Sequence, residues 1–266
     1  MADLLFDLAD GVYRITLNRP DQANALTPDQ RDELVEALER AGGNPDVRVI
    51  VLAAEGKHFC SGADLTAAPT EKNPRATADE AGTITRALRL GSQRLCSAIL
   101  DVEKPVIAEI HGAAAGIGAH LVLAADFVIA AEGSRIIEIF ARRALVADGG
   151  GAYLLPRLVG LMKAKELMFL ADDLSAEEAQ QLGIVRSVVP ADQLRATTDE
   201  LAARLAAAPT RTIALTKWLL NRSLDSSREQ AFADEALAQE LNMHSADATE
   251  GMASFVERRP ADYRGR

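Results

Sequence analysis

Three segments rich in small residues place backbone amides, and one carboxylate, where a ligand could reach them. The first spans residues 56–65 and follows a run of aliphatic residues, and the second spans residues 111–120. The third places Asp148 immediately before three consecutive glycines. Because small residues let a ligand approach the backbone closely, N–H groups in such segments can donate hydrogen bonds to an oxyanion. A carboxylate flanked by glycines can act as a general acid or base if a substrate carbon lies within reach.

Each of these segments also has an ordinary structural interpretation. Composition alone favours a plain strand-to-helix turn with a buried cysteine at residues 56–65. In the second segment Gly116-x-Gly118 matches two glycines of a dinucleotide-binding loop, but Leu121 stands at the third position, so that signal is weak. A helix N-terminus there would instead offer amides to an oxyanion or a phosphate. Asp148 can equally be a helix N-cap, a far commoner role for aspartate.

The pattern of apolar and chain-breaking residues predicts an alternating strand–helix half followed by a helical tail. Strands are predicted at residues 11–18, 47–54, 105–110, 126–131, 135–139 and 184–189. Helices are predicted at residues 27–43, 76–100 and 116–125, then, after a capping box at Ser175, at 191–207, 211–222, 228–242 and 247–258. This order indicates an α/β protein with mainly parallel strands covered by helices.

Composition and charge exclude several classes of protein. With 29 Lys and Arg against 39 Asp and Glu, the net charge of -10 argues against binding to nucleic acid or an anionic membrane. Cys60 and Cys96 are too few for a disulfide framework and favour a reducing, cytoplasmic location. The acidic start has the wrong chemistry for a leader, and charged residues interrupt the most apolar stretch, residues 105–131, which is therefore predicted to be core. No group of His, Cys and carboxylate residues has metal-ligand spacing.

Taken together, the segments resemble the enoyl-CoA hydratase/isomerase, or crotonase, superfamily over essentially the whole chain. The first CoA-contacting loop of that family is similar to Asn18-Arg19-Pro20 with Asn24-Ala25-Leu26. Its two oxyanion-hole motifs are similar to Phe59-x-Ser61-Gly62-Ala63-Asp64-Leu65 and His111-Gly112-x-Ala114-x-Gly116-x-Gly118. Later matches are Pro156-Arg157-Leu158-Val159-Gly160, Glu178-Ala179, Leu182-Gly183, Val188-Val189-Pro190, and Ser245-x-Asp247 with Glu250-Gly251.

The resemblance implies a fold, a substrate and an assembly. The fold would be a crotonase-like spiral of β-β-α turns over residues 1–209, and the helices of residues 210–266 would build a homotrimer or homohexamer. The substrate would be an acyl-CoA, so coenzyme A arrives as part of it and no separate cofactor or metal is expected. Backbone amides of Ala63 and Ile117 would stabilise the thioester enolate, although the second position is usually glycine. The implied contacts with the CoA thioester are Ala23, Ala25, Ser61, Ala63, Asp64, Leu65 and Gly116.

The catalytic positions depart from those of a hydratase. Hydratases of this family use two glutamates to position water and deliver a proton, and here His120 and Phe140 occupy those positions. Asp148 resembles the aspartate of branches that shift double bonds or open rings on CoA thioesters, such as the epoxyphenylacetyl-CoA isomerase group. The dehalogenase branch also has an aspartate there, but its partner Trp has no match at Phe140.

The resemblance therefore implies an enoyl-CoA isomerase of fatty or aromatic acid metabolism, with Asp148 as the principal proton carrier. His120 would hydrogen-bond Asp148 or a nearby water, although a buried histidine is more often a satisfied core residue. His58 and His111 are predicted to be structural. Enoyl-CoA hydratase activity is one alternative, and a non-catalytic CoA-binding scaffold is an alternative of another class.

Overall fold

A computed structural model describes residues 2–68, 70 and 81–266, which contain nine strands and eleven α-helices. The strands are β1 (Leu4–Ala9), β2 (Val12–Leu17), β3 (Val49–Ala54), β4 (Val106–Ile110), β5 (Ala113–Ala115), β6 (Phe127–Ala131), β7 (Arg135–Ile137), β8 (Leu174–Ser175) and β9 (Ser187–Val189). The helices are α1 (Pro28–Gly43), α2 (Thr83–Leu90), α3 (Ser92–Asp101), α4 (Ile117–Ala124), α5 (Gly151–Val159), α6 (Leu161–Leu170), α7 (Ala176–Gln181), α8 (Leu194–Ala206), α9 (Thr210–Ser223), α10 (Arg228–Met243) and α11 (Ala246–Glu257).

The strands form two sheets that the chain enters in turn. The larger sheet has the order β1-β2-β3-β4-β6-β9 and is parallel except between β1 and β2. The smaller sheet has the order β5-β7-β8. Strand β4 is followed by β5 and then α4, and β6 is followed by β7 and a short 3-10 helix, Ile139–Arg143. These two turns each lay one strand in each sheet before a helical segment, and the fold confirms the predicted α/β spiral of β-β-α turns.

Two hydrophobic clusters lie on the two faces of the larger sheet. Strand β3 is apolar throughout and almost wholly buried, as a strand covered on both faces must be. On one face, Ile50 and Leu52 join the main cluster, which includes Leu38 of α1, Ile99 of α3 and residues of α4. On the other face, alternate residues of the strands pack against α8, in a cluster formed by Val49, Val51, Ile107, Ile129, Ala131, Leu194 and Ala202.

Local signals explain several helix starts. Thr27 accepts a hydrogen bond from the Gln30 amide, and the Gln30 side chain accepts one from the Thr27 amide, which is a capping box at the start of α1. Ser175 and Glu178 form the same reciprocal pair at the start of α7. Among the described helices, none is long and apolar enough to cross a membrane.

The predicted single helix over residues 76–100 is wrong in its described part. The chain breaks at Gly91 (φ -107, ψ -99), which separates α2 from α3. A Cβ there would lie 2.6 Å from the Ala87 carbonyl oxygen and 2.9 Å from a guanidinium nitrogen of Arg31, so the close approach requires glycine. Residues 76–80 of the predicted helix lie outside the described residues.

Other predicted elements are shorter than expected, and strands β1, β5 and β8 were not predicted. The strand predicted at 184–189 is β9 alone, because Ile184 and Val185 are buried in the main cluster instead of pairing. The helix predicted from 191 begins as a 3-10 turn before α8. Strand β1 was not predicted, because it leaves Leu5, Phe6 and Leu8 exposed and so shows no apolar alternation.

A buried lysine attaches α9 to the sheet. Lys217 Nζ lies 2.8 Å from Asp126 Oδ2 and also donates to the carbonyls of Ile99 and Lys104. Asp126 Oδ2 in turn accepts a hydrogen bond from the Val106 amide at the start of β4. Burial lowers the pKa of Lys217 and raises that of Asp126, and the attraction between the two charges opposes both shifts. The first helix of the tail is therefore held to the start of β4 by a largely buried ion pair.

Replacing Lys217 by methionine tests this attachment. The change leaves the Asp126 carboxylate, whose side chain is 21% exposed, without its cation. We expect a loss of about 2 kcal/mol of unfolding free energy, less than for a fully enclosed pair because water still reaches Asp126. Urea denaturation at one fixed protein concentration measures the loss.

The matched control is Arg211→Met on the same helix, which removes an exposed ion pair with Glu103. That change should cost less than about 1 kcal/mol, because exposed pairs are screened by solvent. Equal losses in the two variants would contradict a special role for Lys217.

Candidate active site

A short parallel bridge joins the two predicted oxyanion segments. The Cys60 amide donates to the Ala113 carbonyl at 3.1 Å, and the Ala115 amide donates to the Cys60 carbonyl at 2.8 Å. Cys60 is thereby paired with Ala114. Ala63 lies three residues beyond Cys60, and Ile117 lies three residues beyond Ala114. The two candidate amides therefore follow the bridge at equal offsets on neighbouring chains.

Glycines let the two turns touch. Gly62 (φ 118) and Gly116 (φ 54) both have backbone angles that disfavour a side chain. A Cβ on Gly116 would lie 3.8 Å from the Gly62 Cα, and a Cβ on Gly62 would lie 3.4 Å from the Ala115 carbonyl oxygen. One turn further, a Cβ on Gly118 would collide with the Cys60 carbonyl. Gly62 and Gly116 are therefore required by their backbone angles, and Gly118 is required by the close contact of the two segments.

The amides of Ala63 and Ile117 are available as donors. Ile117 is the first residue of α4, its N-cap is Gly116, and no side chain caps the helix. Amides of a first helical turn lack intrahelical acceptors and carry the positive end of the helix dipole. Ala63 is exposed, and its amide donates no hydrogen bond to any residue in the described part of the chain. Two free donors on touching turns are the geometry needed to hold an oxyanion.

The predicted CoA loop lies beside the first of these turns. The Ser61 amide donates to the Ala23 carbonyl at 3.0 Å, and Leu26 is bridged to Ala63. The loop is fixed from within by buried Asn24, whose amide group donates to two carbonyls of residues 55–58 at 2.8 Å each. The structure thus brings together six of the predicted CoA contacts, namely Ala23, Ala25, Ser61, Ala63, Asp64 and Leu65.

Asp64 has a structural part in this loop. Its carboxylate accepts hydrogen bonds from the Thr66 hydroxyl at 2.7 Å and from Arg19 at 3.0 Å. These hydrogen bonds, that of Thr66 first, hold the pKa of Asp64 below its ordinary value. Arg19 also donates to the Ala25 carbonyl at 2.7 Å. The Asp64 side chain is therefore occupied within the loop, and the loop presents backbone and Leu65, 74% exposed, to its surroundings.

Asp148 lies in the loop before α5 and is half-buried. The N-cap of α5 is Gly150, so the alternative that Asp148 caps this helix is wrong. Burial raises the pKa of Asp148, while the charges of His120 and Arg31 and hydrogen bonds from local amides lower it in part. The Gln93 side chain donates to the Asp148 carbonyl at 3.2 Å, which ties the loop to α3. A carboxyl group with a raised pKa is better matched to proton transfer near neutral pH than a free aspartate.

Side chains of α4 lie directly beneath the Asp148 loop. A Cβ on Gly149 would lie 2.6 Å from Ile117 Cδ1 and 2.7 Å from His120 Nδ1, and a Cβ on Gly151 would collide with the His120 ring. Ile117, the departure from the usual glycine, is 3% exposed and packs against this loop. Positions 149 and 151 must therefore be glycine, because the side chains of Ile117 and His120 leave no room for a Cβ.

His120 is fully buried and pairs with a residue that the sequence analysis missed. Its Nε2 lies 3.2 Å from Glu138 Oε2, so the structure pairs His120 with Glu138 and not with Asp148, which was one of its two predicted partners. Its ring stacks on Phe140, with centroids 5.2 Å apart and planes 15° apart. Glu138 could have been found from its position, because it is a lone carboxylate in the apolar run Ile136-Ile137-Glu138-Ile139-Phe140 and must have a partner if buried.

The remaining reactive side chains are structural in their contacts. His58 Nδ1 accepts from the Ala113 amide at 3.2 Å, and His111 Nε2 lies 3.0 Å from the Gly56 carbonyl, which agrees with their predicted structural roles. Cys60 and Cys96 are free and buried, and burial raises the pKa of each thiol to about 12, which makes neither a thiolate nucleophile. Residues 2–68, 70 and 81–266 contain no group of three or more side chains suited to hold a metal ion.

Comparison with known proteins agrees with this arrangement. A sequence model described as enoyl-CoA hydratase/isomerase matches residues 7–266. A Rhodobacter capsulatus protein named "Probable enoyl-CoA hydratase" is 37% identical over 261 residues, covering 98% of this chain and 97% of its own. The 1,2-epoxyphenylacetyl-CoA isomerase of Escherichia coli is 33% identical over 267 residues, covering 100% of both chains. The crystal structure of enoyl-CoA hydratase from Bacillus anthracis superposes with a TM-score of 0.89, at 31% identity and with 100% of both chains covered.

Paired amide turns on a β-β-α spiral, followed by a helical tail, are the features of a crotonase-fold protein. The chain belongs to the enoyl-CoA hydratase/isomerase family. Relatives carry both names, hydratase and isomerase, so membership defines an acyl-CoA-processing enzyme family without deciding between the two reactions.

Replacing Gly118 by alanine tests the contact that joins the two turns. The new Cβ would collide with the Cys60 carbonyl, a backbone atom that cannot move without breaking the bridge to Ala114. We expect a loss of about 2 kcal/mol of stability, typical of overpacking in a core. The control is Gly43→Ala at the exposed end of α1, where a Cβ meets no atom within 4 Å and should change stability by less than about 0.5 kcal/mol. Thermal unfolding distinguishes them, and an unchanged Gly118→Ala midpoint would contradict the proposed constraint.

Proposed function

We propose that this protein is an enoyl-CoA isomerase in which Asp148 carries the proton. The observation that supports this most directly is a half-buried carboxylate with a raised pKa, held on a glycine turn that packs against the helix whose first amide is that of Ile117. His120 and Phe140 stand where hydratases of the family have glutamates, so Asp148 is the carboxylate proposed to exchange protons with the substrate. The 33% identity to an isomerase that acts on a CoA thioester is consistent with this proposal.

The proposed reaction moves one proton between two carbon atoms. The thioester carbonyl accepts hydrogen bonds from the amides of Ala63 and Ile117, and ionised Asp148 removes a proton from the α-carbon of a 3-enoyl-CoA. The electron pair of the broken C–H bond enters a dienolate whose oxygen the two amides stabilise. Asp148 then returns the proton to the γ-carbon, which leaves the double bond between the α- and β-carbons. One carboxylate suffices, and no water is added.

Coenzyme A is proposed to lie along the loop of residues 23–26 and the turn of residues 61–65, next to Gly116. Exposed backbone at Ser61 and Ala63 and the exposed Leu65 side chain make this face accessible. No separate cofactor is proposed, because the reaction neither oxidises the substrate nor transfers a group. A cytoplasmic location stays a prediction.

Replacing Asp148 by asparagine tests the assignment. The amide keeps the shape of the carboxyl group but cannot accept the substrate proton, so isomerisation of 3-enoyl-CoA should fall by about 100-fold or more. Binding should persist, because asparagine leaves both CoA loops unchanged, and calorimetry with acetoacetyl-CoA measures it. Products from 3-enoyl-CoA and from crotonyl-CoA, identified separately by mass and chromatography, compare isomerisation with hydration.

The control for this experiment is Asp199→Asn on α8, which covers the opposite face of the sheet and should leave the isomerisation rate unchanged. Rapid hydration of crotonyl-CoA that survives Asp148→Asn would overturn the assignment in favour of a hydratase. Saturable acyl-CoA binding with no turnover of either substrate would favour the CoA-binding scaffold.

A trimer or hexamer is proposed from the apolar surface of the tail. Leu237 and Leu241 of α10 are 54% and 47% exposed, and Phe255 and Val256 of α11 are 85% and 79% exposed. A groove of about 870 Å³ between α9, α10 and the helices α3, α4 and α5 adds exposed Trp218 to this surface. Soluble monomers rarely leave so much apolar surface open to water. A second copy of the chain would cover it.

Light scattering at micromolar concentration should give three or six chain masses. Phe255→Glu places a charge on the most exposed aromatic side chain of α11 and should shift the mass towards a smaller species, since burying an unpaired charge is costly. Glu235→Lys on α10 is a charge change at an already polar position and should not alter the mass. A monodisperse monomer in the unmodified chain would contradict the proposal.

A further inference from the structure

A buried histidine–carboxylate pair beneath the Asp148 loop contains two polar atoms without partners. His120 is 0% exposed and Glu138 is 5% exposed. Apart from the contact between them, His120 Nδ1 and Glu138 Oε1 make no hydrogen bond within the described chain. Native proteins pair nearly all buried polar atoms, so two unpaired atoms at one place call for a functional explanation.

The pair lies directly under the candidate proton carrier. His120 Nδ1 would be 2.7 Å from a Cβ on Gly149, the residue that follows Asp148, and the opposite edge of the ring lies under Gly151. Phe140 covers one face of the ring. His120 is therefore fixed on three sides and cannot reach a substrate, which makes it a positioning residue.

Two cationic groups and one thiol interact with Asp148 from three helices. His120 of α4 lies below it, and Arg31 of α1 acts on it as a second cation. From α3, the buried Cys96 thiol interacts with the Asp148 charge. His120 itself is faced by Glu138 and by Asp148. Among the described residues, these are the titratable groups that interact with Asp148.

The burial of Glu138 indicates which charge His120 carries. A buried carboxylate is stable only if a cation or several hydrogen bonds compensate it. Within the described chain, the partner of Glu138 is His120 alone. An imidazolium supplies both the hydrogen bond at Nε2 and the compensating charge, and its second N–H then points toward the Asp148 loop.

We propose that Glu138 keeps His120 doubly protonated, and that this buried imidazolium keeps Asp148 ionised so that it can accept the substrate proton. The proposal rests on the proposed function of Asp148 as proton carrier. No bond forms or breaks within the pair during turnover. Burial alone would favour the protonated, inactive form of Asp148, and the charge of His120 opposes that effect by lowering the pKa of Asp148.

The pH profile of a Glu138→Gln variant tests the charge. Glutamine keeps the size of the side chain but removes the negative charge, so His120 should lose a proton. Asp148 then loses a cation, its pKa rises, and the acid limb of kcat/KM against pH moves to higher pH by about one unit or more. A downward shift would mean that His120 is neutral and that Glu138 repels Asp148 directly. No shift would mean a purely structural pair, and either result overturns the proposal.

Glu109→Gln is the matched control. Glu109 is also a buried carboxylate bonded to a buried cation, Arg14, at 3.0 Å, but it faces α8 on the other side of the sheet. This variant should lose stability without moving the acid limb. An equal shift of the acid limb in both variants would show that the shift comes from general destabilisation of the fold and not from the charge of His120.

A measurement without substrate separates this proposal from the proposed function. Side-chain ¹⁵N NMR at neutral pH should show one of the four histidines protonated on both nitrogens, and that state should disappear in Glu138→Gln. Single substitutions of the exposed or backbone-bonded histidines assign the signal. The carboxyl ¹³C signal of Asp148 is identified by its absence in Asp148→Asn. In Glu138→Gln, the midpoint of its titration should shift to higher pH. If the protein does not isomerise enoyl-CoA, the proposed function fails, but these titrations still test whether Glu138 keeps His120 doubly protonated. A neutral His120 overturns the proposal about the pair.

Discussion

The parallel bridge between Cys60 and Ala114 is the contact on which the site depends. It aligns two segments that are 54 positions apart, and it does so with backbone hydrogen bonds that do not depend on side-chain chemistry. The amides of Ala63 and Ile117 then point from touching turns because each lies the same distance beyond the bridge. Donors fixed in this way need no rearrangement when an oxyanion forms, which is the main source of their catalytic value. Glycine at 62 and 116 permits the backbone angles of the two turns, and glycine at 118 permits the approach to Cys60.

Helix α4 connects the two halves of the proposed chemistry. Its first residue, Ile117, supplies a free amide to one side and a buried side chain to the Asp148 loop on the other. One turn later His120 supports the same loop. The position of the carboxylate relative to the oxyanion donors is thus set by one rigid element, with an apolar contact and a polar contact to the loop. This packing also requires glycine at positions 149 and 151, because any side chain there would displace the loop from the helix.

Patterns confined to one stretch of chain predicted much of this structure. The aliphatic run of β3, the capping box of α1 and the glycine turns before α4 are local properties, and the spiral follows from their order. Features that depend on distant contacts were missed. Gly91 breaks a helical pattern because Arg31 and the carbonyl of Ala87 approach it. Strand β5 consists of three alanines and therefore shows no alternation of apolar and polar residues. Glu138 was overlooked because its partner lies 18 positions earlier, on a helix whose packing the sequence does not reveal.

The aromatic ring of Phe140 bears on the choice between isomerisation and hydration. Its tip would lie 3.9 Å from a Cβ on Gly116, so carbon fills the space beside the second amide turn, and the other side of the ring is stacked on His120. A hydratase must hold an activated water near the β-carbon of its substrate, and an apolar ring offers that water no hydrogen bond. The nearest buried carboxylate, Glu138, is turned toward His120 and is 5% exposed, so it does not replace the missing glutamates. In the proposed reaction, an apolar ring beside a single base favours returning the proton to a different carbon over adding water, because Phe140 cannot hold the water that hydration needs. These contacts are the physical reason for preferring the isomerase over its hydratase relatives.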